Sequence, residues 1–364
     1  MSSKLISTGV QFPDSSVQTT AVGSGGSALD GLGGVTVSTA DPAVDSNPSA
    51  TGHQWINKTS GELYVCTDNT AGSNVWVNVG EGVDGVEPAV NRGVFGGGNT
   101  GGDSNVIDYI AIETLGNATD FGNLTVSRHG LGACSSETRG VWAGGYGPKN
   151  EIDYVTIATT GNALDFGNLS IARRYISGCS STTRGLFGGG NTYSNVIDYI
   201  TIASTGNATD FGDLTAAREF LGACANNTRG IFAGGEKSGG YTNIMDYVTI
   251  ASTGNASDFG DLTVTRGYVA GCADTTRGVF AGGAVYDTID YITIASTGNA
   301  TDFGNLTSGK YALAGCAGET RGIFAGKQSS GTDIDYITIA TTGNAIDFGD
   351  LTVGRNSLDG CAGY

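Results

Sequence analysis

The stretch 277–295, RGVFAGGAVYDTIDYITIA, decides the fold because its pattern returns six times along the chain. Each copy opens with Arg-Gly followed by an aliphatic and an aromatic residue. The six copies start at Arg92, Arg139, Arg184, Arg229, Arg277 and Arg321. The intervals are 47, 45, 45, 48 and 44 residues, and self-similarity at such a period indicates a repeat architecture.

Each repeat carries four strings that we interpret as short strands. In the fifth repeat these are RGVFAGG, IDYITIA (289–295), GNATDFGNLT (298–307) and LAGCAGE (313–319). The first two are rich in β-branched and aromatic residues, which favour strands. Gly, Asn and Asp in the third supply turn chemistry. The Gly-Cys string has only small residues at its centre, so we expect it to lie innermost.

The ends of the repeat region predict how it closes. The first copy has no Gly-Cys string before it, and the last copy ends with one at Cys361. Pairing 358–364 beside 92–98 would complete the first sheet. Four-stranded sheets repeated radially form a propeller. The sequence therefore predicts an all-β chain whose residues 91–364 are a six-bladed β-propeller, with four strands per blade and a C-terminal strand closing the first.

The first ninety residues do not share the repeat. The string ISTGVQFPDSSVQTTA (6–21) precedes a Gly/Ser-rich linker (23–34), and three strand-like runs, HQWINKT, ELYVCTD and VWVNVGE, follow. We predict an extended N-terminal attachment segment with its linker over 1–34 and a small β-meander over 35–90. The expected core of the meander is Trp55, Tyr64 and Trp76.

Two of these strings resemble known proteins. The TG-x-QFPD-x-x-x-QTTA string within 6–21 resembles the opening of bacteriophage tail-fibre proteins. The double glycine after each aliphatic-aromatic pair resembles kelch-type propeller repeats, although the usual downstream tryptophan is lacking. The resemblance implies a virion protein of the phage tail, made in the host cytoplasm. It also implies an N-terminus that contacts other tail or baseplate proteins, and a homo-oligomer, namely a trimer.

Composition argues against several other classes of protein. The net charge is −17 and no run of Lys or Arg exists, which disfavours nucleic-acid binding. The sequence has no run of 18 apolar residues, so membrane insertion is not predicted. The N-terminus lacks the apolar core of a secretory signal. With only His53 and His129, a histidine-based catalytic or zinc site is not expected.

The recurring cysteines and aspartates have structural interpretations. Six cysteines occupy one position per repeat, too far apart for disulfides, and we expect free buried thiols. Aspartate recurs in the IDY, DFG and FGD strings, whereas a catalytic site needs unique residues. We expect these aspartates to make turn hydrogen bonds and to pair with the arginines of RG and of VSR or VTR. No catalytic residue, metal or cofactor is predicted, although calcium at the GNAxDFGN turns and a metal ring of thiols are alternatives.

The copies differ mainly in two connections, those between the first and second strings and between the third and fourth. In an up-and-down sheet both connections leave on the same face, and loops on a rigid scaffold often carry binding residues. Neutral drift is the alternative. The predicted ligand-binding residues are Tyr146, Lys149, Arg174, Tyr175, Tyr193, Phe220, Lys237, Tyr241, Tyr268, Tyr286, Tyr311 and Lys327.

The sequence leaves three functional hypotheses. The first is a non-catalytic tail-fibre or receptor-binding protein whose N-terminus docks to the tail and whose variable loops bind a host surface receptor or glycan. The second is a structural tail or baseplate component that uses the propeller for protein contacts. The third, ranked last, is a carbohydrate-active propeller enzyme.

Overall fold

The computed structural model is built of β-strands and divides into two compact units, Met1–Pro88 and Ala89–Tyr364. It describes residues 4–6, 9–11, 17–18, 34–43, 45–46, 48, 50–57, 63–80, 91–284 and 286–363. Across these residues no helix occurs, and so none is long and apolar enough to cross a membrane. The predicted linker (23–34) lies outside the described residues except for Gly34, as does Tyr364 at the C-terminus.

The first unit contains two small sheets. One is antiparallel and has three short strands, β1 (Lys4–Ile6), β2 (Gly9–Gln11) and β3 (Val17–Gln18). The other has four strands, β4 (Val35–Ser38), β5 (Gln54–Asn57), β6 (Leu63–Asp68) and β7 (Val75–Gly80). Strands β5 to β7 are the three expected runs and pair antiparallel, while β4 joins β5 in parallel and was not expected.

The expected aromatic core of this unit is only half-buried. The Trp55 and Trp76 rings meet edge to face with centroids 5.7 Å apart, and the Trp55 indole donates to the Ala40 carbonyl. Cys66 and Asn74 are the more deeply buried side chains. A four-stranded sheet of this size has one apolar layer, so its tryptophans keep an exposed edge.

The second unit consists of six four-stranded antiparallel sheets. Sheets 1 to 3 are made as follows: sheet 1 of β8 (Arg92–Gly96), β9 (Val106–Ala111), β10 (Thr119–Asn123) and the last strand of the chain, β33 (Asp359–Gly363); sheet 2 of β11 (Gly132–Ser135), β12 (Arg139–Ala143), β13 (Lys149–Thr156) and β14 (Leu164–Arg173); sheet 3 of β15 (Ser177–Ser180), β16 (Arg184–Gly188), β17 (Val196–Thr201) and β18 (Thr209–Asp213).

The remaining sheets repeat the same order. Sheets 4 to 6 are made as follows: sheet 4 of β19 (Gly222–Ala225), β20 (Arg229–Ala233), β23 (Ile244–Thr249) and β24 (Ser257–Asp261), with a hairpin of β21 (Glu236–Lys237) and β22 (Gly240–Tyr241); sheet 5 of β25 (Ala270–Ala273), β26 (Arg277–Ala281), β27 (Thr288–Thr293) and β28 (Thr301–Asn305); sheet 6 of β29 (Ala314–Ala317), β30 (Arg321–Lys327), β31 (Gly331–Thr338) and β32 (Ile346–Asp350).

The arrangement of these sheets is propeller-like. In each sheet the Gly-Cys strand lies at one edge, beside the Arg-Gly strand, and we call it the first strand of the sheet; in sheet 1 it is β33. The first strands of successive sheets contact one another. Strand β33 pairs antiparallel with β8 from Asp359 opposite Gly96 to Gly363 opposite Arg92. The expected pairing of the C-terminal string with the first Arg-Gly string is therefore confirmed.

The hydrophobic core lies between neighbouring sheets. Between sheets 2 and 3, for example, Ile152 and Phe166 pack against Phe187 and Ile200. A similar cluster joins sheet 6 to sheet 1. Since both faces of each sheet are covered, the IDY strands are apolar on both sides, as their sequence indicates.

The cysteines explain why glycine follows arginine in every repeat. All six cysteines of the repeats are free and buried, as predicted. Each sulfur lies beside the Arg-Gly glycine of the following sheet, as Cys134 does beside Gly185. A Cβ at any of these six glycines would come within about 3.0 Å of a sulfur atom. Cysteine and glycine are therefore a matched pair across each junction between sheets.

Buried ion pairs also join each sheet to the next. The aspartate of each IDY strand forms an ion pair with a cation on the segment that enters its sheet, with N–O distances of 2.6 to 3.1 Å. The pairs are Arg128 with Asp153, Arg173 with Asp198, Arg218 with Asp246, Arg266 with Asp290, Lys310 with Asp335, and Arg355 with Asp108. The expected pairing of aspartate with the VSR and VTR arginines is confirmed.

The expectation that the Arg-Gly arginines also pair with aspartate is wrong. Each of the six guanidinium groups stacks on the tyrosine of its own IDY strand, 4.5 to 4.9 Å from the ring centroid. Each also donates to a carbonyl of the next sheet, as Arg92 does to Ile157 at 3.0 Å. The tyrosine lies diagonally across the strand pair, on the same face as the arginine, and takes the place of an aspartate as its partner. Arg321 also pairs with a glutamate, Glu113, at 3.9 Å.

Candidate functional site

Antiparallel pairing places the two variable connections at one end of every sheet. In sheet 1 these are the loop 97–105 between β8 and β9, and the crossover 124–131 that leads from β10 to the first strand of sheet 2. We call the surface formed by these loops and crossovers the variable face. It carries all twelve predicted ligand-binding residues.

One residue in each crossover has a left-handed backbone. The six residues and their φ angles are Gly130 (64°), Tyr175 (55°), Phe220 (60°), Tyr268 (61°), Ala312 (59°) and Ser357 (52°). Glycine adopts this conformation freely, whereas other L-residues lose roughly 1–2 kcal/mol in it. Three neighbouring crossovers nevertheless carry a bulky aromatic residue at this position.

Backbone hydrogen bonds link these positions around the variable face. The N–H group of Tyr175 donates to Gly130 at 2.5 Å, and that of Tyr268 to Phe220 at 2.6 Å. Phe220 donates to Tyr175, Gly130 to Ser357, and Ser357 to Ala312. The conformation is therefore imposed by contacts between crossovers, so the scaffold fixes the direction in which each side chain leaves the backbone.

The side chains at and beside these positions form one continuous aromatic cluster. Its members are His129, Tyr146, Tyr175, Phe220, Tyr268 and Tyr311. Centroids are 4.5 Å apart for His129 and Tyr146, 4.4 Å for Tyr175 and Phe220, and 3.9 Å for Phe220 and Tyr268. The cluster extends over the crossovers that lead into sheets 2 to 5 and ends at Tyr311, in the crossover that leads into sheet 6.

Charged groups border the aromatic cluster. The Arg174 guanidinium lies 4.6 Å from the Tyr146 centroid and 5.3 Å from that of Tyr175. Burial, and next the nearby Glu236 carboxylate, raise the pKa of Glu219. Burial also raises the pKa of Tyr268, so its hydroxyl stays protonated. The cluster thus offers ring surfaces, neutral hydroxyls and both signs of charge.

His129 holds one end of the cluster in place. Its ring is 8% exposed, and its Nδ1 lies 2.6 Å from Asp103 Oδ1. Stacking on the 42% exposed Tyr146 covers one face of the imidazole. The histidine therefore positions a solvent-facing tyrosine.

A cavity of about 70 Å³ lies at the centre of the variable face. All six left-handed residues contribute to its wall, with the aromatic Tyr175, Phe220 and Tyr268 on one part of the ring and Gly130, Ala312 and Ser357 on the other. The first residues of several Gly-Cys strands line it further in, among them Asp359. We call this space the axial cavity.

Asp359 is the acidic residue of the axial cavity. Its Oδ2 accepts a hydrogen bond from the Ala133 N–H at 2.7 Å, and its Oδ1 accepts one from the Gly360 N–H at 2.9 Å. Burial raises the pKa of this carboxyl to about 7, and the two N–H donors oppose that effect. A carboxyl with such a pKa can hold or release a proton near neutrality.

The structure brings together only some of the predicted ligand-binding residues. Tyr146, Arg174, Tyr175, Phe220, Tyr268 and Tyr311 meet in the aromatic cluster or stack on it. Tyr241 covers Gly267, beside Tyr268. Burial, and next the nearby Glu236 carboxylate, raise the pKa of Tyr193. Lys327 pairs with Asp333 at 2.6 Å. Within the described part of the chain, no ring contact joins Tyr286 to the cluster, and Lys149 and Lys237 make no ion pair.

Two residues of this region were missed as site residues. His129 lies in the first crossover, where the other five crossovers have Arg, Glu, Gly, Tyr and Asn. Asp359 stands where the other repeats have Gly, Ser or Ala. Aligning the six copies column by column would have shown both departures, although not that they face the same surface.

Comparison with known proteins finds neither a matching family model nor a matching curated relative.

Proposed function

We propose that this chain is a non-catalytic receptor-binding protein of a phage tail. Its six repeats would together form a closed six-bladed propeller, and the variable face would bind a ligand on the host surface. The resemblance of residues 6–21 to tail-fibre openings supports docking of the N-terminal segment to the tail. The contacts that join sheet 6 to sheet 1 support the closed ring.

The observation that carries the proposal is the set of aromatic residues in left-handed backbone positions. Glycine occupies the equivalent position at Gly130 without strain, yet Tyr175, Phe220 and Tyr268 keep bulky rings there. Strained residues that a scaffold holds in place are concentrated at binding and catalytic sites. Their rings are half-buried and so keep surface for a partner.

Aromatic side chains suit a binding role because they offer large contact area at low entropic cost. Tyrosine adds a hydroxyl that can donate or accept a hydrogen bond. Here the contacts between rings and the backbone bonds between crossovers organise the surface before a ligand arrives. Little ordering is then needed on binding, which favours affinity.

Glycine substitution tests this function without adding backbone strain. We expect Tyr175→Gly, Phe220→Gly and Tyr268→Gly to reduce binding of the purified protein to host cells and their surface polysaccharides by at least about tenfold each, the size of a typical aromatic anchor. Thermal unfolding should show a folded protein in each case, because relief of the left-handed strain offsets part of the lost packing.

Two control variants separate binding from stability. Ser357→Gly relieves the same strain in the crossover that leads from sheet 6 to sheet 1, which carries no aromatic residue, and should leave binding unchanged while raising the melting temperature. Tyr286→Ala removes an exposed tyrosine outside the aromatic cluster and should also leave binding unchanged. Undiminished adsorption by all three cluster variants would refute the proposal, and a defect confined to virion assembly would favour the structural alternative.

A further inference from the structure

The strand that completes sheet 1 brings a unique carboxylate into the axial cavity. The equivalent residues of the other first strands are small and uncharged: Gly132, Ser177, Gly222, Ala270 and Ala314. Only the last copy, at Asp359, has an acidic side chain at this position, and it lines the cavity.

Rigid contacts hold this carboxylate. Besides the bonds from Ala133 and Gly360, the backbone carbonyl of Asp359 accepts a hydrogen bond from the Trp142 indole at 3.1 Å. Trp142 is itself a departure, since the other repeats have phenylalanine there. Each carboxylate oxygen accepts only one of these bonds and retains capacity for a further donor.

The rest of the cavity wall favours a positive charge over a negative one. Tyr175, Phe220 and Tyr268 contribute aromatic rings, whose electron-rich faces attract cations. No Lys or Arg is among the residues that line the cavity, all of which the structure describes. The chain also carries a net charge of −17, which draws cations toward it.

We propose that the axial cavity binds a protonated amine, with the ammonium group on the Asp359 carboxylate and its carbon substituent against the aromatic wall. A space of about 70 Å³ admits a group the size of methylammonium, such as the amino end of a larger ligand. The inference rests on the proposed function, because the amine is taken to be part of the ligand on the host surface. An ammonium group would donate charge-assisted hydrogen bonds to the carboxylate oxygens.

The test uses methylammonium chloride as a probe on the full-length protein at pH 8, where the carboxyl is ionised. We expect saturable shifts of the Tyr and Phe ring resonances in NMR titration. Sodium chloride at equal concentration and methanol, a neutral molecule of similar size, should not reproduce them. Asp359→Asn keeps an oxygen that can accept from Ala133 but removes the charge, and should weaken methylammonium binding at least about tenfold.

Asp333→Asn serves as the matched control, because this carboxylate lies outside the cavity and pairs with Lys327. It should leave methylammonium binding unchanged. Absence of a saturable shift, equal shifts with sodium, or unchanged binding by the Asp359 variant would overturn the inference. Host binding that depends on the aromatic cluster but not on Asp359 would overturn it while leaving the proposed function intact. Methylammonium binding by a protein that does not bind the host would overturn the proposed function and leave the amine site intact.

Discussion

At the residue scale, this repeat protein is most informative where one copy departs from the others. Glycines facing cysteines and aspartates facing a crossover cation recur in every copy and build the scaffold, with lysine replacing arginine only at Lys310. Asp359, Trp142 and His129 each occur once. His129 supports the aromatic cluster, and the buried Trp142 donates to the backbone of Asp359 in the axial cavity, so these departures point to function and not to a repeated scaffold contact.

The raised pKa of Asp359 predicts a pH-dependent cost. Since its folded-state pKa is about 7 and its ordinary value is 3.8, the native state binds the extra proton between these values. Stability from this group is therefore present at low pH and falls as the pH rises toward 7. We expect Asp359→Asn, which imitates the protonated form, to gain melting temperature relative to the parent protein between pH 4 and pH 8. A constant difference across that range would contradict the assignment.

At the element scale, the crossovers connect the sheets both covalently and through buried charge. Each crossover cation lies on the segment entering a sheet and reaches the aspartate of that sheet's IDY strand. The five arginines among these cations also donate to backbone carbonyls. Arg266 illustrates this with Thr288 and Phe280 at 3.1 and 3.2 Å. Burial lowers the pKa of Arg266, and the Asp290 carboxylate opposes that effect.

Lys310 is the weak member of this set. It keeps the ion pair with Asp335 but has no guanidinium fork for the carbonyls. We expect Lys310→Arg to raise the unfolding free energy by about 1 kcal/mol per regained hydrogen bond, measured by chemical denaturation. The converse change, Arg266→Lys, is the matched control and should lower it. If Lys310→Arg did not raise the unfolding free energy and Arg266→Lys did not lower it, the guanidinium fork would be shown not to matter.

At the scale of the whole molecule, the proposed ring depends on contacts between residues far apart in sequence. Strand β33 completes sheet 1, Arg355 pairs with Asp108, and Arg321 donates to the Ile112 carbonyl at 3.0 Å. The ion pair and the arginine–carbonyl bond are of the kind that joins the other pairs of neighbouring sheets. The last residues of the chain therefore act on the first repeat.

Removal of residues 358–364 tests this closure. The truncated protein would lose the first strand of sheet 1, leaving the β8 edge unpaired, and would bury less of the core between sheets 6 and 1. We expect a lower melting temperature and new proteolytic cleavage within 91–131. A protein lacking residues 1–88 is the control and should retain the stability of the repeat unit. Equal stability of the C-terminal truncation would refute closure.

The sequence by itself determined the repeat, the strands of each copy, the pairing partner of the C-terminal string and the face that varies. Each follows from local patterns: periodicity, strand composition and the alternation of antiparallel connections. The buried thiols and the crossover ion pairs were also predictable, because every copy repeats them.

Only the tertiary structure decided which varied residues meet. It stacked the Arg-Gly arginines on tyrosine instead of aspartate, joined Tyr175 to Phe220 and Tyr268, and left Tyr286 outside the cluster. It also placed Asp359 in the axial cavity. These outcomes depend on distances between side chains from different sheets, and on left-handed backbone angles imposed by neighbouring crossovers. Neither is encoded in the local pattern of one repeat.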